Sequence, residues 1–169
     1  MKAVQIVGLC LAAAVTFGVV HDQVTARLCV EYFTVGHEPV FGTDDPTLLG
    51  LGWGVLATWW VGVLLGVPLA LVARVGRSAR RTPRSLVRPV AWLTAATAVS
   101  ALAAGVLGWQ LARAGAIVLV EPLASAVPAE KHVPFLAALW AHSASYLVGF
   151  VGGLVVIVRV ARARLRAPV

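Results

Sequence analysis

Four stretches of this chain run for eighteen residues or more without an Asp, Glu, Lys or Arg. About 20 helical residues cross the roughly 30 Å of a bilayer's hydrocarbon. Each stretch is therefore long enough to span one. Backbone polar groups have no water to bond in lipid, so such segments satisfy their own N–H and C=O groups as helices. The expected fold is an all-α membrane protein: one integral domain over 1–169, a four-helix transmembrane bundle with spans at about 3–22, 46–73, 89–112 and 133–158. The composition agrees. The chain is 60% hydrophobic and 12% charged, where a soluble domain is about 45–50% apolar and about 25% charged.

The charges give the bundle a direction. Lys2, the arginines between spans two and three (Arg74 to Arg88) and those after span four (Arg159 to Arg166) make eleven of the fourteen basic residues. With four spans they all fall on one side, and basic residues mark the cytoplasmic side. Both termini, the loop 74–88 and the tail 159–169 are then cytoplasmic, with outer segments at 23–45 and 113–132. All seven acids (Asp22, Glu31, Glu38, Asp44, Asp45, Glu121 and Glu130) fall on the outer side. The net charge of +7 is thus a topology signal and not a nucleic-acid footprint, and the expected partner is the lipid bilayer. A competing reading makes the first span a signal peptide cut near Val24-Thr25-Ala26, which would leave three spans.

Span two should begin at Asp45-Pro46, with Asp45 as cap and Pro46 in the first helical position, and kink near Pro68. Small residues four apart (Gly50 and Gly54, Gly62 and Gly66, Ala101 and Gly105, Gly149 and Gly153) predict close helix approach. Residues 24–34 read two ways. Arg27 and Glu31 could pair on a continuing helix. The alternation of Leu28, Val30, Tyr32 and Thr34 with their neighbours instead fits a strand, which Ala116–Val120 could join as a small outer sheet. Cys10 and Cys29 lie at different depths and are expected as free thiols.

At 1.5 Å rise per residue, His21 stands about 28 Å above Lys2 on span one, and His142 about 25 Å above Arg159 on span four. Cys10, Phe17 and His21 share one helical face; His142, Tyr146, Gly149 and Gly153 share another. If those faces meet, the imidazoles meet near the outer interface. An ionisable group inside a span is a functional candidate by default. The leading reading is therefore a small-ligand or transition-metal site, with His21, His142, Glu31, His37 and Glu121 as candidate ligands and Asp22, Tyr146 and Gln110 supporting them. Haem b between the two histidines is a weaker variant. The bland counterpart is interfacial histidines bonded to backbone or serine. The alternative class is a non-catalytic subunit docking a membrane or periplasmic protein through its outer segment. Third comes an outer-leaflet lipid-modifying enzyme using Ser143 or Ser145, although small polar residues in a span more often pack helices. Whether the chain is an enzyme stays open at this stage.

The segment HDQVTARLCVEYFTVGHEP, residues 21–39, resembles one shared by uncharacterised bacterial membrane proteins of similar size. The resemblance implies a bacterial inner membrane and carries no activity.

Overall fold

The computed structural model describes residues 1–76 and 79–166. Arg77 and the last three residues of the tail lie outside the described residues. Every element is a helix: α1 (Lys2–Leu28), α2 (Glu31–Thr34), α3 (Pro46–Leu56), α4 (Trp59–Arg74), α5 (Pro83–Arg113), α6 (Leu123–Ala126), a 3-10 turn (Ala129–Lys131) and α7 (His132–Leu165). Lys2–Leu28, Pro46–Arg74, Pro83–Arg113 and Ala129–Leu165 are each long and apolar enough to cross a membrane. The chain is a multi-pass, all-α membrane protein built as a four-helix bundle.

Two of the long helices begin at side-chain caps. Asp45 accepts hydrogen bonds from the backbone N–H groups of Thr47 and Leu48, both at 2.9 Å, with Pro46 in the first turn. Thr82 caps α5 in the same way through Ser85, ahead of Pro83. Side-chain oxygens there satisfy donors that a helix N-terminus leaves free. At the opposite end Arg164, almost fully buried, donates to the carbonyls of Val72, Val75 and Ala79. It ties the end of α7 to the last turn of α4. This arginine is a structural latch as well as part of the basic end.

Span two is interrupted at Ala57–Thr58, between α3 and α4, whereas Pro68 lies inside α4. The Thr58 hydroxyl donates to the Gly54 carbonyl at 2.5 Å, which takes up a backbone acceptor at the break. The glycines of span two form a single stripe. Gly50, Gly54, Gly62 and Gly66 all face α1, at Gln23, Val19, Leu11 and Val7 in turn. The order shows α1 antiparallel to α3 and α4 with backbones in near contact, as small residues permit in lipid. Gly105 and Gly108 do the same for α5 against Ala141 and Trp140 of α7. These two antiparallel pairs then close into a bundle, α1 beside α5 and α4 beside α7. Helices α1 and α7 stand on its diagonal.

Of the two readings of residues 24–34, the strand and its outer sheet do not form: no strand occurs among the described residues. Helix α1 runs through Leu28, the chain extends for one residue at Cys29, and α2 follows as a single turn. The alternation over 116–120 is real, with Leu119 buried and Val118 and Val120 exposed. It belongs to a chain lying over the core without a strand partner. Nor do Arg27 and Glu31 pair. Arg27 donates to the Gln23 carbonyl and side chain and to Thr47, while Glu31 pairs with Lys131 at 3.8 Å. The turn at Cys29 swings Glu31 off the α1 surface.

That turn folds residues 29–41 back over the acidic end of the bundle. Cys29, Tyr32, Phe33 and Phe135 form the centre of one buried cluster, and His37 fixes the fold-back by a 2.8 Å bond between Nδ1 and the Tyr32 carbonyl. Cys10 and Cys29 are both free and buried. Burial pushes the Cys29 thiol up to about 11, and the Glu31 carboxylate that it hydrogen-bonds adds to the shift. Only the thiolate is a nucleophile, and raising this group's value keeps it protonated through neutral and mildly alkaline pH. A charged maleimide at pH 7.5 should therefore leave Cys29 unmodified in the folded protein and label it after denaturation in SDS. Prompt labelling before denaturation would mean that the fold-back over Cys29 is not formed.

Candidate metal centre

Three ligating side chains converge where α1 and α7 cross the bundle's diagonal. His21 and Asp22 come from α1 and His142 from α7, and one ligand atom of each lies within 4.8 Å of the others. Asp22 and His142 are 3% and 8% exposed. The Asp22 carboxylate stands 3.7 Å from Nε2 of His142, which also shares a 3.1 Å hydrogen bond with the Thr25 hydroxyl. The His21 and His142 rings are in contact, centroids 4.3 Å apart and tilted by 55°. Nε2 of His21 is buried and has no hydrogen-bond partner among the described residues.

Aromatic rings hold the imidazoles in place. Phe17, one turn below on α1, stacks on His21 at 5.3 Å. Tyr32 stacks on His142 at 4.4 Å and 27°, so the fold-back after α1 supplies a roof. Burial pushes the Tyr32 phenol above its usual range, which keeps it a neutral cover. Phe33 and His37 continue the roof outward against Trp53 of α3.

The geometry sorts the sequence candidates. His21 and His142 meet, and Asp22 stands beside them, its carboxylate within reach of the same point. Tyr146 lines the cavity below them. Glu31 is engaged by Cys29 and Lys131, His37 by the Tyr32 carbonyl, and Glu121 by the Ser125 hydroxyl at 2.7 Å on the surface. None of these three belongs to the cluster, because each is held by a neighbour on its own outer segment. Gln110 lines a groove between α1, α5 and α7 that His21 and Thr25 also border. Thr25 and Tyr32 were not anticipated. Thr25 was legible, being one helical turn beyond His21 on the same face; Tyr32 depends on the fold-back.

The arrangement also limits the competing chemistries. A haem plate does not fit between imidazoles that touch one another. The serines point away from the histidine: Ser143 donates to the Leu139 carbonyl on the lipid face, and Ser145 to the carbonyl of His142. Thr25 and Asp22 face the same imidazole nitrogen, whereas a hydrolytic triad sets its nucleophile and its acid on opposite nitrogens.

No family model, curated protein or solved structure matches the chain. The chemistry of the site rests on its own residues.

Proposed function

We propose that this protein is a membrane metalloprotein whose centre is a divalent transition metal held by His21, Asp22 and His142. The observation that carries the reading is the convergence of these three ligand atoms inside the bundle, with one imidazole nitrogen buried and unpartnered among the described residues. A buried carboxylate is costly unless it is paired or coordinates a metal, and a buried donor or acceptor without a partner is costly in its own right. A divalent cation removes both penalties at once. Two imidazoles and one carboxylate suit Zn²⁺, and equally the two-histidine, one-carboxylate pattern of non-haem Fe²⁺. Ligand atoms around such an ion stand closer together than 4.8 Å, so binding draws the side chains inward. In the metal-free site the Thr25 hydroxyl occupies the His142 Nε2 that faces Asp22, and an ion held there replaces that hydrogen bond. Three protein ligands leave a position open, the arrangement of reactive rather than purely structural centres.

Metal content tests the reading. Protein purified in lipid nanodiscs and equilibrated with Zn²⁺ or Fe²⁺ should retain one ion per chain. His21→Ala and His142→Ala should each bring it to background, while Glu121→Gln, on a surface carboxylate outside the cluster, should leave it unchanged. Retention by both histidine variants would refute the assignment. A folded wild type without metal that co-purifies with a stable protein partner would instead favour the docking-subunit alternative.

The charge asymmetry supports a setting as well. We place the arginine-rich end in the cytoplasm of a bacterial cell, with the metal centre toward the outer face of the inner membrane. A reporter fused after Arg81 should be active only if it works in the cytoplasm. Periplasmic activity at that position would invert the topology.

A further inference from the structure

Below the metal centre the bundle is not filled. A cavity of about 350 Å³ runs from His21, Asp22 and His142 down to Leu69, Val90 and Ile157, between α1, α4, α5 and α7. From His142 to Ile157 along α7 is about 22 Å at 1.5 Å per residue. The lining residues are spread over that length on all four helices, so the space is elongated along the bundle axis. The walls are apolar along this length. Four of the five hydroxyls that line it are turned back onto their own helices: Thr58 donates to Gly54, Thr94 to Val90, Thr97 to Leu93 and Ser145 to His142. The fifth, the Tyr146 phenol, stands one helical turn from His142, so the polar groups not turned back concentrate at the end where the histidines and Asp22 stand.

The mouth opens sideways. Trp60 and Leu64 of α4 and Tyr146 and Phe150 of α7 line the cavity and are also exposed on the outside of the bundle. At that depth the surroundings are lipid, so the cavity fills from the bilayer. An occupant needs an apolar tail matching a shaft about 22 Å long. It also needs one polar head, at one end only, with oxygen to offer a metal that has a position open.

We infer that the cavity binds a single-chain amphiphile with an oxygen-donor head, a long-chain carboxylate, with its tail in the shaft and its head at the His21–Asp22–His142 centre. The head half of this inference rests on the metal reading; the tail half rests on the cavity.

A probe of matching length tests it: a sixteen-carbon fatty acid with a diazirine near its methyl end, photolysed with the metal-loaded protein in nanodiscs and mapped by mass spectrometry. Labels should fall at the deep end, on Leu69, Val90 or Ile157. An alkane of the same length without the carboxylate, and a phosphatidylcholine carrying the same diazirine chain, should label those residues at least about tenfold less. Equal labelling by the alkane would remove the role of the head. Equal labelling by the phospholipid would make the cavity an ordinary lipid crevice. Either result overturns the inference. A Cβ at Gly149 would stand 3.9 Å from Thr97, in ordinary contact, so Gly149→Leu should fill the shaft and abolish deep-end labelling while metal content stays at one per chain. If that variant does not fold, Ala14→Leu fills the shaft from α1 and must give the same loss. Undiminished labelling in a folded variant refutes the inference. Metal retained in wild type without deep-end labelling refutes this inference alone. Deep-end labelling in a wild type without metal refutes the metal reading, and with it the coordination of the head.

Discussion

Asp22→Asn is expected to strip the metal from the protein and leave the bundle folded. The amide has the shape of the carboxylate but not its charge, so packing at a position 3% exposed is preserved while the anionic ligand is lost. Removing an outer partner of a metal ligand weakens binding by about 10–100-fold; losing a direct ligand should exceed that, more than about 100-fold. The metal-free protein should respond in the opposite sense. Without an ion, Asp22 in the wild type is a carboxylate inside a membrane helix with two imidazoles, and no Lys or Arg among the described residues, paired to it, and neutralising it lifts a desolvation penalty. Metal-free Asp22→Asn should therefore melt no lower than metal-free wild type, and added Zn²⁺ should raise the wild-type melting temperature alone. A variant that still held one ion per chain would place the metal elsewhere.

Gly54→Leu is expected to be the most damaging single substitution in the glycine stripe. A Cβ at Gly54 would lie 2.5 Å from the Val19 Cα and 2.6 Å from its nitrogen. These are backbone atoms of a helix that cannot swing aside as a side chain would. Overpacking a tight core costs about 1–3 kcal/mol, and a clash with backbone belongs at the upper end. That is a large share of a total stability of about 5–15 kcal/mol. Helix α1 would be pushed off α3, and His21 and Asp22 would be carried away from His142. Loss of metal should accompany a lower melting temperature and aggregation on size exclusion. Gly42→Leu is the matched control, since nothing lies within 4 Å of that site. Equal melting of Gly54→Leu and wild type would mean that α1 and α3 do not approach as closely as described.

Much of the bundle could be read from residue order because lipid leaves the backbone few choices. Uninterrupted apolar runs gave four spans, and the Asp45-Pro46 pair marked a helix start that the structure reproduces. The helical period placed Cys10, Phe17 and His21 on one face and His142, Tyr146 and Gly149 on another; both faces line the same cavity. What lay outside the helices was not legible. The role of Glu31 is decided by a turn at Cys29 that carries it to Lys131, and His37 is consumed by a carbonyl five residues back. Alternation at 27–34 does not map onto a buried and an open face: Leu28 is exposed, while Tyr32 and Phe33 are buried in succession. The place of Asp22 in the cluster was not legible for a related reason. Adjacent residues on a helix point about 100° apart, so sequence spacing alone did not place it beside His21 at a shared ligand. Only the arrival of α7 across the diagonal makes the two neighbours converge on one point.

The most direct test of the central claim is X-ray absorption at the metal edge of the loaded wild-type protein. The His21–Asp22–His142 assignment predicts a first shell of nitrogen and oxygen at about 2.0–2.2 Å, with outer-shell scattering from two imidazole rings. Sulfur at about 2.3 Å, which only Cys10 or Cys29 could supply as thiolate, or scattering from fewer than two imidazoles, would contradict it.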